Sequence, residues 1–255
     1  MLRRLTAITA VLAVASGLAA ASASASHSWG GYHWARTANP FTIKLGDNVA
    51  STWDSYLGTT STDWSASAVL DTTIVPGSAA NKRCQAKSGQ DEICNGTYGQ
   101  NGWLGIASIW LASGTTHITQ GTVKLNDTYF AMAQYNNSSE KEHVMCQEVG
   151  HTFGLDHQST DGSSLNTCMD YYSNKSSSDT LSIHPNQHDY DELVTIYSHG
   201  DSSTTIGSTI GTLPDAVPSW AQASKVSESR YVDHLANGDT LITWVLWANP
   251  IHGNF

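Results

Sequence analysis

Apolar and polar positions alternate in "NPFTIKLGDNV", where Phe41, Ile43 and Leu45 keep the period of a half-buried strand. Val49, Trp53, Tyr56 and Leu57 then fall on one face at helical spacing, with Asp47 or Asn48 available as an N-cap. Strand followed by helix is therefore the predicted start. "SAVLDTTIVPG" predicts another strand, ended by Pro76 and Gly77, whereas "CQAKSGQDEIC" is polar and reads as a loop and "NGTYGQNGW" as a run of turns. The β-rich runs "WLGIASIWL" and "ITQGTVKLNDTYF", separated by "ASGTTH", predict a pair of strands.

Helical spacing returns further on. Ser139 with Glu142 three residues later predicts a capping box, and the helix runs on through His151 to about Phe153, with Gly154 ending it. A second helix is predicted in "HPNQHDYDELVTIYSHG": Pro185 suits its first turn, Tyr190, Leu193, Val194 and Tyr197 share a face, and Gly200 closes it. Past that point "GDSSTTIGSTIGTLPDAVPS" has the composition of a linker or extended wrap. "SRYVDHLANGDTLITWVLWANP" then sets Asn237 and Gly238 between two β-rich runs, which predicts a hairpin.

The first residues change the picture of where the chain works. Arg3 and Arg4, an apolar stretch over residues 6–20 and then repeated small residues have the order of a secretory signal peptide, with cleavage after Ala23 or Ala25 fitting equally well. The expectation is a leader over 1–25, a secreted, extracellular product and no membrane association once the leader is gone. Without the leader, 10 Lys plus Arg face 22 Asp plus Glu, a formal charge of 10 minus 22, or −12. That balance argues against a nucleic-acid partner, since phosphate binding needs a basic face.

Four cysteines in an exported chain allow three disulfide pairings that sequence alone does not separate. The expected pairing is Cys84 with Cys94 and Cys146 with Cys168. A Cys-rich zinc site competes with it but lacks any CxxC pair.

The stretch that carries chemistry is "CQEVGHTFGLDH", Cys146 to His157. Positions four apart on a helix share a face, so Gln147 and His151 can reach one ion while Glu148 beside them points into the same cleft. Gly154 permits a sharp turn that returns His157 as a third ligand. The spacing resembles the HExxHxxGxxH signature of metzincin zinc proteases, with Gln147 where the family has its first histidine. "CMDYY" is similar to the family's Met-turn, with Met169 as its methionine.

The resemblance implies an α+β fold: a twisted mixed sheet with packed helices, an active-site helix, the Met-turn and a C-terminal helix. It covers a catalytic domain over 26–200, with 201–255 left as a linker and small β-rich extension. It also implies zinc held by Gln147, His151 and His157, a water made acidic by the metal, and Glu148 as the base in peptide-bond hydrolysis. Tyr171, two residues after Met169, stands where some metzincins place an oxyanion-stabilising tyrosine, a core or surface tyrosine being the plainer reading. Cys146 directly precedes the first ligand and Cys168 directly precedes Met169, so a bond between them would clamp the active helix to the floor below the metal.

An amide oxygen is a harder, less basic donor than imidazole, so weaker zinc affinity is expected. His143 is eight residues from His151, about 12 Å along the helix axis, too far to share an ion. His117, His184 and His188 are distant in sequence; the last two remain alternative ligands that otherwise cap or pack. About fifteen residues separate the leader from the first strand, so no propeptide is expected. Two functions follow: a secreted, monomeric metalloendopeptidase acting on peptides or proteins, or a non-catalytic relative that holds extended peptides by strand addition.

Overall fold

A computed structural model describes residues 27–28, 30–78, 83–174, 176–209, 224–225 and 227–248. The expected leader and the second half of the Ser/Thr/Gly-rich linker, residues 210–219, lie outside the described residues. In chain order the elements are β1 (His33–Trp34), β2 (Phe41–Asn48), α1 (Asp54–Trp64), β3 (Leu70–Pro76), β4 (Asp91–Gly96), β5 (Trp103–Leu111) and β6 (His117–Asn126). They continue with α2 (Asp127–Phe130), α3 (Ser138–Thr152), α4 (Gln187–Ile196), β7 (Ser224–Lys225), β8 (Arg230–His234) and β9 (Thr240–Trp247).

Among the described residues the strands form one mixed sheet in the order β3-β2-β4-β6-β5-β9-β8-β7, with β1 paired to the start of β6. β2 pairs in parallel with β3 and β4, and β6 with β4 and β1; every pairing from β6 through β5, β9 and β8 to β7 is antiparallel. The α+β class is thus observed. No helix among the described residues is long and apolar enough to cross a membrane.

One strand corrects the sequence reading. The polar segment before Cys94 holds β4, which is paired on both sides and buries Asp91, Glu92 and Ile93. Its carboxylates are sheltered by partners that periodicity cannot foresee. The Thr152 hydroxyl donates to Asp91 Oδ2 at 2.8 Å, while Ser78 Oγ and Gln90 Nε2 each reach Glu92 Oε1 at 2.6 Å. Buried acids survive where hydrogen bonds replace water.

Helix starts also differ. The first helix begins one turn later than predicted, at Asp54, because Asp47 Oδ1 accepts from Val49 N–H at 3.1 Å and holds the intervening chain in a turn. α3 is capped by Asn137, whose side chain accepts from Glu140 N–H at 2.8 Å, not by a box between Ser139 and Glu142. α4 has its capping box at Asn186 and Asp189, with Pro185 just outside. Val194, predicted on the buried face of α4, is 43% exposed, and Ile196 is buried instead.

The tail is part of the main sheet. β9 lies antiparallel to β5 over most of its length, and Ile242, Trp244 and Leu246 enter the same apolar core as Val144, Val149 and Phe153. Val245 faces a smaller cluster with Trp103 and Ile106, the alternation of a strand covered on both faces. Each large side chain so buried stabilises the seated strand by about 1.5–3 kcal/mol.

Candidate active site

α3 presents the motif to the core. Its last carbonyls find partners outside the helix: the Trp34 indole donates to Thr152 O at 3.0 Å and the Tyr197 hydroxyl to Phe153 O at 3.0 Å. The helix stops at Gly154, whose φ of 97° is left-handed and whose absent side chain leaves room for Tyr32 O; a Cβ there would sit 2.0 Å from that oxygen. The turn brings His157 back beside His151.

His151 and His157 face each other with their Nε2 atoms 3.2 Å apart. Leu155 O lies 2.9 Å from His151 Nδ1 and so holds the proton on that nitrogen, which leaves the Nε2 lone pair free. Burial holds the His151 pKa down at about 4 and lowers that of His157 well below its ordinary value, with the His151 charge adding to the effect. Both rings are neutral at physiological pH, the form that can ligate a metal.

Gln147 is wholly buried, and its Nε2 donates to Cys168 O at 2.9 Å and to Asp170 O at 2.6 Å. Two carbonyl acceptors fix the amide orientation, and Oε1 is left without a hydrogen-bond partner. A buried acceptor with no donor is costly unless a cation fills the role. Two imidazole lone pairs and this amide oxygen make a donor set that fits zinc, with the oxygen the weakest of the three.

The floor is built by two loops. Gln158 N–H donates to Met169 O at 2.7 Å and Tyr171 N–H to Ser159 O at 2.8 Å, so the chain after His157 runs beside the chain around Met169. Cys146 is bonded to Cys168, and Cys84 to Cys94. Met169 is fully buried, and the Tyr171 ring lies 4.9 Å from that of His157, with burial pushing its phenol pKa up.

Glu148 is fully buried against β5. A Cβ on Gly105 would lie 2.6 Å from Glu148 Oε1, so only a bare backbone admits the carboxyl there. Neither oxygen makes a hydrogen bond of normal geometry, although the backbone of Leu246 and of Ala107 comes close enough to offset part of the effect of burial. Burial outweighs both and raises its pKa well above its ordinary value.

The cause is a group that motif spacing did not reveal. β9 covers the site: Trp244 stacks on His151 with centroids 5.0 Å apart and planes 6° from parallel. Asp156, next to His157, accepts from Trp244 Nε1 at 3.3 Å and is paired with Arg230, and Ser229 Oγ is 3.5 Å from His157 Nδ1. The β-rich run "TLITWVLW" predicts a strand but carries no signal for which edge it joins.

The other candidate histidines lie elsewhere. His143 Nδ1 sits 2.5 Å from Ser182 O, His184 pairs with Asp63 at 2.6 Å, and His188 stacks on His27 with centroids 4.8 Å apart. His184 and His188, kept as alternative ligands, are thus not at the site: the geometry gives them packing and pairing roles. His117 belongs to a separate cluster with His33 and Asp201.

No family model and no curated protein matches this chain. Among solved structures it is similar to high choriolytic enzyme 1, a hatching enzyme zinc-protease from Oryzias latipes (medaka fish). The likeness covers 67% of this chain and 96% of that one, at 10% identity and a TM-score of 0.36. At that score it fixes neither the fold nor the activity of this chain.

Proposed function

We propose that the chain is a secreted zinc-dependent endopeptidase of metzincin type, whose own strand β9 occupies the substrate cleft in the form described here. The observation that carries the reading is the convergence of His151 Nε2 and His157 Nε2, 3.2 Å apart, on a helix face that also bears a partnerless buried Gln147 Oε1 and the carboxyl of Glu148. Gln147, His151 and His157 would hold the metal, which supplies Lewis acidity that makes a water reactive near pH 7.

Glu148 accepts the proton of the attacking water and returns it to the leaving amine. β9 lies over the motif, so an extended substrate enters only when that strand withdraws from β5. The β5 edge then hydrogen-bonds an extended peptide as it does β9, aligning a scissile bond over the helix face. Tyr171, whose ring is 4.9 Å from that of His157, would stabilise negative charge on the carbonyl oxygen.

The burial of Glu148 beside Leu246 and the stacking of Trp244 on His151 favour a second reading, a non-catalytic module whose β5 edge is permanently filled. Elemental analysis of zinc together with chelator-sensitive cleavage of an unstructured peptide separates the two. Trp244→Ala, which loosens the cover, should increase cleavage. A zinc-loaded Trp244→Ala protein that cuts nothing would leave only the binding module.

A further inference from the structure

The second histidine cluster gathers on β1 and β6 beside the C-terminal end of α3, and belongs to no step above. β1 pairs with β6 in parallel, with His33 directly opposite His117, so their rings share one face of the sheet with centroids 5.0 Å apart. The chain leaving α4 passes the same spot, where Asp201 N–H donates to Arg36 O at 2.9 Å and Thr205 N–H to Ala35 O at 3.0 Å. This brings in His199 and Asp201.

Three histidine nitrogens lie around one oxygen of Asp201. Asp201 Oδ1 is 3.5 Å from His33 Nε2, 3.4 Å from His117 Nε2 and 3.7 Å from His199 Nε2, and the two nitrogens of His33 and His199 are 3.1 Å apart. The edges of a tetrahedron with zinc bond lengths are about 3.3–3.4 Å. The donors of His33, His117 and Asp201 all lie within 4.8 Å of one another.

Their orientation is fixed from behind. Gly31 O, 2.6 Å from His33 Nδ1, holds the proton there and turns the Nε2 lone pair inward. Asp201 Oδ2 accepts from Arg36 N–H at 3.1 Å and from Arg36 Nη1 at 2.9 Å, which leaves Oδ1 for the centre of the cluster. Arg36 is itself buried and anchored on Tyr197 O at 2.8 Å.

We infer that His33, His117, His199 and Asp201 form a second zinc site, closed by protein ligands and structural in role, that pins β1 and the start of β6 to the chain leaving α4. Three imidazole nitrogens and one carboxylate oxygen suit zinc over calcium or magnesium, which take oxygen ligands. Four protein donors leave no position for substrate, so the metal would act as a cross-link between segments that are far apart in sequence. A cluster held only by imidazole–carboxylate hydrogen bonds would take up no metal.

The test uses the full secreted chain, stripped by chelator, reloaded with zinc ion alone and freed of excess. Wild type is compared with His199→Ala and with His117→Ala plus His199→Ala, since both side chains are partly exposed, 30% for His117 and 48% for His199. The variants should each hold about one equivalent less than wild type. Cobalt substituted at the site should show the intense visible bands of a tetrahedral centre in wild type, and those due to this site should vanish in the variants. His151→Ala, which disturbs only the α3 site, should keep this equivalent, so failure of the peptidase reading and failure of this one give different counts. Equal zinc content in wild type and the folded His199→Ala variant would overturn the inference, as would a wild-type chain that takes up no zinc.

Discussion

The two histidine clusters of this protein use the same donor chemistry under opposite conditions. At the α3 site His151 is fully buried and His157 nearly so, beneath Trp244, with burial holding both imidazoles neutral. At the β1–β6 site His117 and His199 reach solvent, and a buried arginine steadies the carboxylate that faces them. In the proposed roles the first offers three donors beside the Glu148 carboxyl, and the second offers three imidazoles around the Asp201 carboxylate. Chemistry needs an open position and a proton acceptor; a cross-link needs neither.

The comparison can be broken at several points. The largest effect is expected from Glu148→Gln in the Trp244→Ala background, where peptide cleavage should fall by about 10²–10⁴-fold with bound zinc unchanged, as elemental analysis and turnover assays would report. Equal turnover with and without the carboxylate would remove Glu148 from the reaction and with it the contrast between the sites.

Next is Arg36→Met, which takes the guanidinium from Asp201 and from His199 O and leaves Tyr197 O with Asn39 Nδ2 as its donor. Loss of one partner of a buried pair costs about 3–5 kcal/mol, read as a drop in the urea midpoint at constant slope. A change confined to the zinc count, with no loss of stability, would mean the arginine orients the carboxylate without supporting the fold.

A smaller effect sharpens the electrostatics of α3. Burial pushes the Glu142 carboxyl from 4.5 up to about 8, the Thr60 hydroxyl opposing and the Asp63 charge adding. The folded chain therefore binds this proton more tightly than the unfolded chain. The stabilisation is complete below about pH 4.5 and is lost as pH rises through about 8. Glu142→Gln keeps the neutral form, so its stability relative to wild type should grow across that window by roughly 1–3 kcal/mol, allowing for solvent screening. Denaturation midpoints that shift in parallel for both proteins from pH 4 to 9 would contradict the sheltered carboxyl.

The smallest expected difference is in reactivity. Diethyl pyrocarbonate should modify His117 and His199 in metal-free protein about tenfold faster than His151 and His157, since the buried pair must wait for local opening of β9. Mass mapping of modified histidines would show this, and equal rates would mean that β9 does not cover the α3 site in solution.

What the sequence determined by itself is local. Four-residue spacing sets Gln147 and His151 on one helix face, Gly154 permits the turn that returns His157, and Asn237 with Gly238 closes the β8–β9 hairpin; each follows from backbone geometry over a few residues. β4 was not legible, because Asp91 and Glu92 read as solvent-facing until Thr152, Ser78 and Gln90 surround them. The placement of β9 on β5 and the meeting of His33, His117, His199 and Asp201 were decided only by the tertiary structure. These contacts join residues dozens of positions apart, and their closure depends on which faces of the whole sheet and its helices remain to be buried, a quantity that no short window of sequence contains.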